Sequence, residues 1–304
     1  MNFVLPAFLA LFLLFSCDFE NDNENTPFDY PEVHLLLSAE DLSEIRRQSN
    51  VVIVDMRPYD EFEAGSIPGA ISFGGVEALH QKDYPVGAML IGPREFQDLM
   101  QNHGISRDHT IVAYDGGQSL FAARLFYALE VYGHEDVRIL NGGFAAWEEA
   151  GFETVEPLRY GSITYQESTF EIEVQEERMC DVAYIMEMLE RDDVVIFDAR
   201  SEDEYTGADA RSEQTGHIPG AVNLVWSENI ESEGVPFFKP ANVIKAQLEE
   251  RGITPDKQVI PHCHTNVRGS HAYFTLRLMG YADVRAYEGS WGEWGNRSDV
   301  PVSN

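Results

Sequence analysis

The sequence predicts an α/β protein built from two tandem copies of one domain, each a mainly parallel sheet flanked by helices. Three observations carry that prediction. Short β-branched runs alternate with helical patterns. Blocks of sequence recur in the same order in the two halves of the chain. The 304 residues, 44% of them hydrophobic, exceed one ordinary domain and suffice to fill two cores.

The strands come first. Val51 to Val54, Thr110 to Ala113 and Asp136 to Leu140 read as short strands in the first half, and such runs suit a parallel sheet covered by helices on both faces. Arg94 to Gln101 and Ala241 to Glu250 read as helices. Each is followed by a glycine, Gly104 or Gly252, where a helix end favours the left-handed backbone.

The repeat is visible in several separate blocks. The strand and turn from Val51 through Asp55, Arg57, Glu61 and Phe62 are echoed from Val194 through Asp198, Arg200, Glu204 and Tyr205. Gly65-Ser-Ile-Pro-Gly69-Ala recurs as Gly216-His-Ile-Pro-Gly220-Ala, with residues gained in the second copy around Thr206 to Thr215. Gly133 through Val137, Gly142 and Trp147 recur as Gly280 through Val284, Gly289 and Trp294. Such order indicates a duplication, with copies at 33–154 and 177–304. Between them, residues 155–176 are acidic and β-branched without a clear period, and are predicted to be a linker contributing an extended strand.

The N-terminus reads as an address. Residues 1–16 include an apolar run from Phe3 to Phe15, too short to span a bilayer comfortably and matching the core of an export signal. Leu14-Phe15-Ser16-Cys17 resembles a bacterial lipobox, which implies lipidation of Cys17 and attachment to a membrane of the cell envelope, on its periplasmic or surface face. A plain secretory signal and an uncleaved anchor are the alternatives. Residues 17–32 are acidic and offer little to bury, so a flexible tether is expected. The net charge of −31, from 52 acidic against 21 basic residues, argues against nucleic acid as a partner.

Of the three cysteines, Cys17, Cys180 and Cys263, none shows a metal-ligand or CxxC spacing. Cys263 has the most informative setting, because the apolar run Val259-Ile-Pro-His262 ends there and a polar turn and helix follow. Backbone N–H groups from His264, Thr265, Asn266, Val267, Arg268 and Gly269, with the positive end of the helix dipole, can stabilise a thiolate there. Arg268 adds a full charge for an anion, unless it is spent on an acidic neighbour. Asn266 tolerates the left-handed backbone that a tight loop needs. In the first copy, strand counting places Asp115 opposite Cys263 and helix counting places Gly116 there; neither is a thiol.

Asp-x-Arg, Gly-x-Ile-Pro-Gly-Ala, a strand ending in His262-Cys263, and Glu288-Gly-Ser-Trp291-Gly-Glu-Trp294 occur in this order over nearly the whole mature chain. In this the chain resembles the tandem-domain rhodaneses, the thiosulfate and 3-mercaptopyruvate sulfurtransferases. The resemblance implies two rhodanese-like domains, with Cys263 as the catalytic nucleophile of the second. It also implies a persulfide intermediate, a small-molecule sulfur donor, cyanide or a thiol as acceptor, no cofactor or metal, and a monomer. The loop residues 264–269 would bind the donor.

The loop Cys-His-Thr-Asn-Val-Arg carries Arg268 and the titratable His264; in the family it resembles, a basic loop goes with thiosulfate and a Cys-Gly-Ser-Gly-x-Thr loop with 3-mercaptopyruvate, so the resemblance implies thiosulfate as donor. Glu204 stands where several animal members use an arginine for the donor. Asp198 and Arg200 are candidates for support of the site. Their repetition as Asp55 and Arg57 beside no thiol favours a structural ion pair. Trp291 and Trp294 are expected at the core and rim of the second copy, and Cys180 as a packed or surface thiol. Cys-based phosphatases are disfavoured, because four residues rather than five separate Cys263 from Arg268. A non-catalytic persulfide carrier is the alternative to an enzyme.

Overall fold

The computed structural model describes residues 29–82, 87–157 and 168–304. The expected export signal, Cys17 and residues 158–167 of the expected linker lie outside the described residues.

In the first copy the strands are β1 (Leu36–Leu37), β2 (Val51–Asp55), β3 (Ile71–Ser72), β4 (Thr110–Tyr114) and β5 (Val137–Leu140). They form one sheet in the order β1-β5-β4-β2-β3, with every pairing parallel. The helices between and after them are α1 (Ala39–Ile45), α2 (Tyr59–Ala64), α3 (Pro93–Asn102), α4 (Leu120–Val131) and α5 (Gly143–Glu149). Ser38 and Asp41 close a capping box at the start of α1. Pro93 opens α3, where its missing N–H costs nothing.

The second copy repeats this plan. Its elements are β6 (Met179–Cys180), α6 (Val182–Met188), β7 (Val194–Asp198), α7 (Glu202–Thr206), β8 (Val222–Asn223), α8 (Ala241–Glu250), β9 (Gln258–His262), α9 (Val267–Leu278), β10 (Ala286–Tyr287) and α10 (Ser290–Trp294). Strands β8, β7 and β9 lie side by side, and β10 pairs with β6. The parallel bridge between Val259 and Val284 joins the two groups, so the strands follow the order of the first copy.

The hydrophobic residues form a shared core and two outer ones. Helices α4 and α9 meet between the copies, where Phe126 stands edge-on to Phe274 at 4.8 Å and Tyr127 to Tyr273 at 5.1 Å. Leu42, Ile53, Val112 and Trp147 pack on the outer face of the first sheet; Ile185, Ile196, Ile260 and Trp291 pack on that of the second. A parallel sheet has two faces to cover. Each copy covers both with its own helices, and those on the inner faces, α4 and α9, pack against each other across the two copies.

Three expectations are revised. Tyr30, assigned to the tether at 17–32, is buried, and its hydroxyl donates to the carbonyl of Lys239 at 2.8 Å, so this part of the segment packs against the fold. The linker forms no strand among its described residues beyond one antiparallel bridge, Ser66 to Val155. Its Phe170 is buried against Phe96 and His134. Trp294 is fully buried rather than at the rim, with its ring N–H donating to the carbonyl of Pro301 at 2.9 Å. No helix among the described residues is long and apolar enough to cross a membrane.

Candidate active site

Cys263 follows β9 directly, and three residues separate it from α9. Its backbone is pinned on both sides. The N–H donates to Ser290 Oγ at 3.3 Å, and the carbonyl accepts from Trp291 N–H at 2.9 Å. Gly292 N–H takes the carbonyl of His264 at 2.8 Å, so the start of α10 cradles the loop from behind. The side chain is 1% exposed, and Thr265 N–H donates to its sulfur at 3.4 Å.

Past Thr265 the loop turns into α9. Asn266 has φ +56, in the left-handed region, and Val267, Arg268 and Gly269 form the first turn of α9 behind it. Position 269 requires glycine, because a Cβ there would run into the Asn266 side chain and would lie 3.2 Å from the backbone of His262. The dipole of the twelve-residue α9 thus points its positive end at the thiol loop.

Arg268 is not waiting for an anion. It makes a bidentate pair with Glu204, with Nη1 at 2.5 Å and Nη2 at 2.9 Å from the carboxylate oxygens. Burial opposes ionisation of Glu204, but the bonds from Arg268 and from Ser201 outweigh it and hold the carboxyl far below its usual range. Arg211, from the segment gained by the second copy, adds a further contact to Glu204 at 3.0 Å. The Arg268 guanidinium remains in electrostatic reach of the Cys263 sulfur. Burial first, and then the charge of Arg211, push His264 below the ordinary histidine value. The expected cationic loop is therefore largely neutralised in this state.

Asp198 and Arg200 lie beneath the site. Both are buried; Arg200 Nη2 meets Asp198 Oδ2 at 2.6 Å and donates to the carbonyl of Gly216 at 2.8 Å. Asp55 and Arg57 repeat this geometry, at 2.6 Å to each other and 2.7 Å to the carbonyl of Gly65. The pair ties the end of the strand to the Gly-x-Ile-Pro-Gly turn in both copies. Arg200 also lies 4.5 Å from the ring centre of Trp291, whose N–H holds the Cys263 carbonyl.

The strand register settles the first copy's counterpart. Tyr114 pairs with Asp55 as His262 pairs with Asp198, which puts Asp115 in the place of Cys263. Phe144 N–H on the Asp115 carbonyl, at 2.8 Å, matches Trp291 N–H on Cys263. Sequence reasoning missed Arg124, Arg211 and Ser290. Comparing α4 with α9 position by position would have exposed Arg124, whose counterpart is His271 rather than a second arginine. Cys180 is buried in β6, and burial pushes its thiol well up, away from reactivity.

Duplicated parallel sheets with one cysteine in a strand-to-helix loop define a class of tandem α/β proteins with a single thiol site. The Rhodanese-like domain family matches residues 38–150 and 181–297, and the chain belongs to that family in its tandem form. It is 34% identical to the sulfur carrier protein TtuD of Thermus thermophilus, over 91% of this chain and 98% of that one. It is 31% identical to a thiosulfate sulfurtransferase of Azotobacter vinelandii, over 90% and 98%. Among solved structures, it is similar to the 3-mercaptopyruvate sulfotransferase SseA of Escherichia coli, with TM-score 0.76, 28% identity, and 84% and 98% of the two chains covered. An anaerobic ergothioneine biosynthesis enzyme from Chlorobium limicola is also similar, with TM-score 0.80, 25% identity, and 90% and 71% covered.

Proposed function

We propose that this protein is a sulfurtransferase that carries sulfane sulfur on Cys263. Thiosulfate is the donor, ahead of 3-mercaptopyruvate, and cyanide or a thiol is the acceptor. The observation that carries this reading is the placement of Cys263 between the end of β9 and the N-terminus of α9, with Thr265 N–H on its sulfur.

In the first step the thiolate attacks the outer sulfur of thiosulfate. A new S–S bond forms at Cys263 as the donor's S–S bond breaks, and sulfite leaves with the electron pair. In the second step the acceptor attacks the outer sulfur of the persulfide, and the thiolate is regenerated. Cyanide leaves as thiocyanate. The loop residues His264, Thr265, Asn266, Val267, Arg268 and Gly269 hold the donor and solvate the bound sulfur. For a sulfonate to reach Arg268, the Glu204 carboxylate must give up one arm of its fork. The thiosulfate sulfurtransferases among the relatives support this choice of donor.

A carrier that holds a persulfide for a partner, without turnover of small donors, is the second reading, favoured by the relative named a sulfur carrier. Thiosulfate:cyanide turnover measured on intact protein and Cys263→Ala separates the two. Turnover that vanishes in Cys263→Ala supports the enzyme. No turnover in either, with a persulfide on Cys263 by mass spectrometry, overturns it in favour of the carrier. The mature chain is further proposed to be lipid-anchored through Cys17 at a cell-envelope membrane; an unmodified Cys17 in the mature N-terminal peptide would refute this.

A further inference from the structure

Arg124 lies on α4, in the copy without a thiol, yet its charge is spent in the other copy. The side chain is fully buried, with Nη2 at 2.6 Å and Nη1 at 3.2 Å from the carboxylate oxygens of Glu288. Nη1 also reaches Ser270 Oγ at 3.3 Å and the Asn266 carbonyl at 3.5 Å, and Nη2 donates to the carbonyl of Ala88 at 2.9 Å. Glu288 in turn accepts from Leu90 N–H of the first copy and from Asn266 Nδ2, each at 2.7 Å. Asn266 is the left-handed residue between Cys263 and α9. Both its carbonyl and its side chain thus belong to this buried network.

The duplication supplies an internal control. Arg124 and His271 occupy the same position in α4 and α9, and Glu288 and Asn141 both precede the glycine that leads into the last helix of their copy. Phe238 N–H donates to Asn141 Oδ1 at 2.9 Å, as Leu90 N–H donates to Glu288. The bridging geometry is therefore common to both halves of the interface, and the charges are not. On the thiol-free side His271 sits between the rings of Trp226 and Phe238, and burial pushes it down to about 3, so it is neutral. A buried ion pair brings little net stability over a neutral arrangement of the same shape. Stability alone does not account for charges placed only at the loop that bears the cysteine.

We propose that Arg124 is a positioning residue for the Cys263 loop: acting through Glu288, it holds Asn266 and the start of α9 in the geometry that presents the sulfur. The thiol-free copy thereby completes the site of its twin. This rests on the reading of Cys263 as the reacting group.

The test compares the full chain with Arg124→Lys and with the charge-neutral Arg124→Met/Glu288→Gln, which leaves no unpaired buried charge. Alkylation of Cys263 by iodoacetamide is followed by peptide mass spectrometry. Thiosulfate:cyanide kcat and KM are measured per reactive Cys263, and unfolding temperature is recorded alongside. In the double variant, alkylation rate and kcat should fall by about tenfold or more, with KM changed less than about twofold, because a displaced nucleophile loses rate rather than binding. Arg124→Lys, which keeps the charge and loses the fork, should fall between the two. Rates per thiol within twofold of wild type in both variants overturn the proposal, as does a loss that only tracks the number of folded molecules. If the double variant does not fold, Arg124→Lys decides: an unchanged alkylation rate overturns the proposal. A wild-type chain that turns over no thiosulfate refutes the sulfurtransferase reading alone, since the alkylation comparison still reports on Arg124.

Discussion

Asp115 stands in the first copy where Cys263 stands in the second, and its carboxylate fills the nest of N–H groups that its own loop makes. Oδ1 accepts from Gly117 and Ser119 at 2.9 and 3.0 Å, and Oδ2 accepts from Phe121 and Ala122 at 2.8 and 3.3 Å. A loop built to face an anion has here been closed by a side chain. Burial raises the Asp115 carboxyl and these four donors oppose the rise, with a net upward shift.

Replacing Asp115 by Ala leaves those donors buried without a partner. Stability should fall by roughly 3 kcal/mol, seen as a lower urea midpoint. Thiosulfate turnover per folded molecule should stay as in wild type. A loss below about 1 kcal/mol would show that water satisfies the loop instead.

Glu204→Gln keeps the side-chain shape and the cap on α7 while removing the charge that occupies Arg268. The KM for thiosulfate should drop by about tenfold, equivalent to about 1.4 kcal/mol. An unchanged KM in the steady-state cyanide assay would mean that the donor does not use Arg268.

His264 has its proton affinity lowered by burial and by Arg211, so it gains charge only below the ordinary histidine value of 6.5. Wild type and His264→Gln should share one KM for thiosulfate at pH 8. They should separate only below pH 6.5, with wild type binding more tightly as the imidazolium forms. The same shift makes the unfolded chain take the proton first. His264 therefore favours the folded state above pH 6.5 and costs stability below it. Superimposable KM profiles across this range would remove His264 from the donor site.

Arg57→Leu and Arg200→Leu each strand a buried aspartate, and each should cost about 3–5 kcal/mol by chemical denaturation. If the pair serves architecture alone, the two variants lose equal stability, and those molecules that remain folded keep their kcat. A loss of kcat confined to Arg200→Leu would instead give Arg200 a part in the site, through Trp291.

The fold was legible because its signals are local. Buried strands announce themselves within five residues, α8 (Ala241–Glu250) has the predicted bounds, and the repeated Gly-x-Ile-Pro-Gly turn needs no distant partner to be recognised. The strand-to-helix setting of Cys263 and the absence of a thiol from the first copy are likewise properties of short segments. Pairings across long stretches of chain were not legible. Arg268 and Glu204 are 64 residues apart, and Arg124 and Glu288 are 164 apart. Nothing in composition says which of 52 acidic residues will meet a given arginine.

By itself the sequence determined the duplication, the α/β class, the family likeness and the asymmetry between the copies, since each is written in contiguous residues. The tertiary structure decided that the loop's arginine is held by a carboxylate, that the two copies share one core, and that a residue of the thiol-free copy reaches the cysteine loop. Those outcomes depend on which faces of two sheets and two helices are pressed together, and side chains far apart in sequence meet only once that packing has formed.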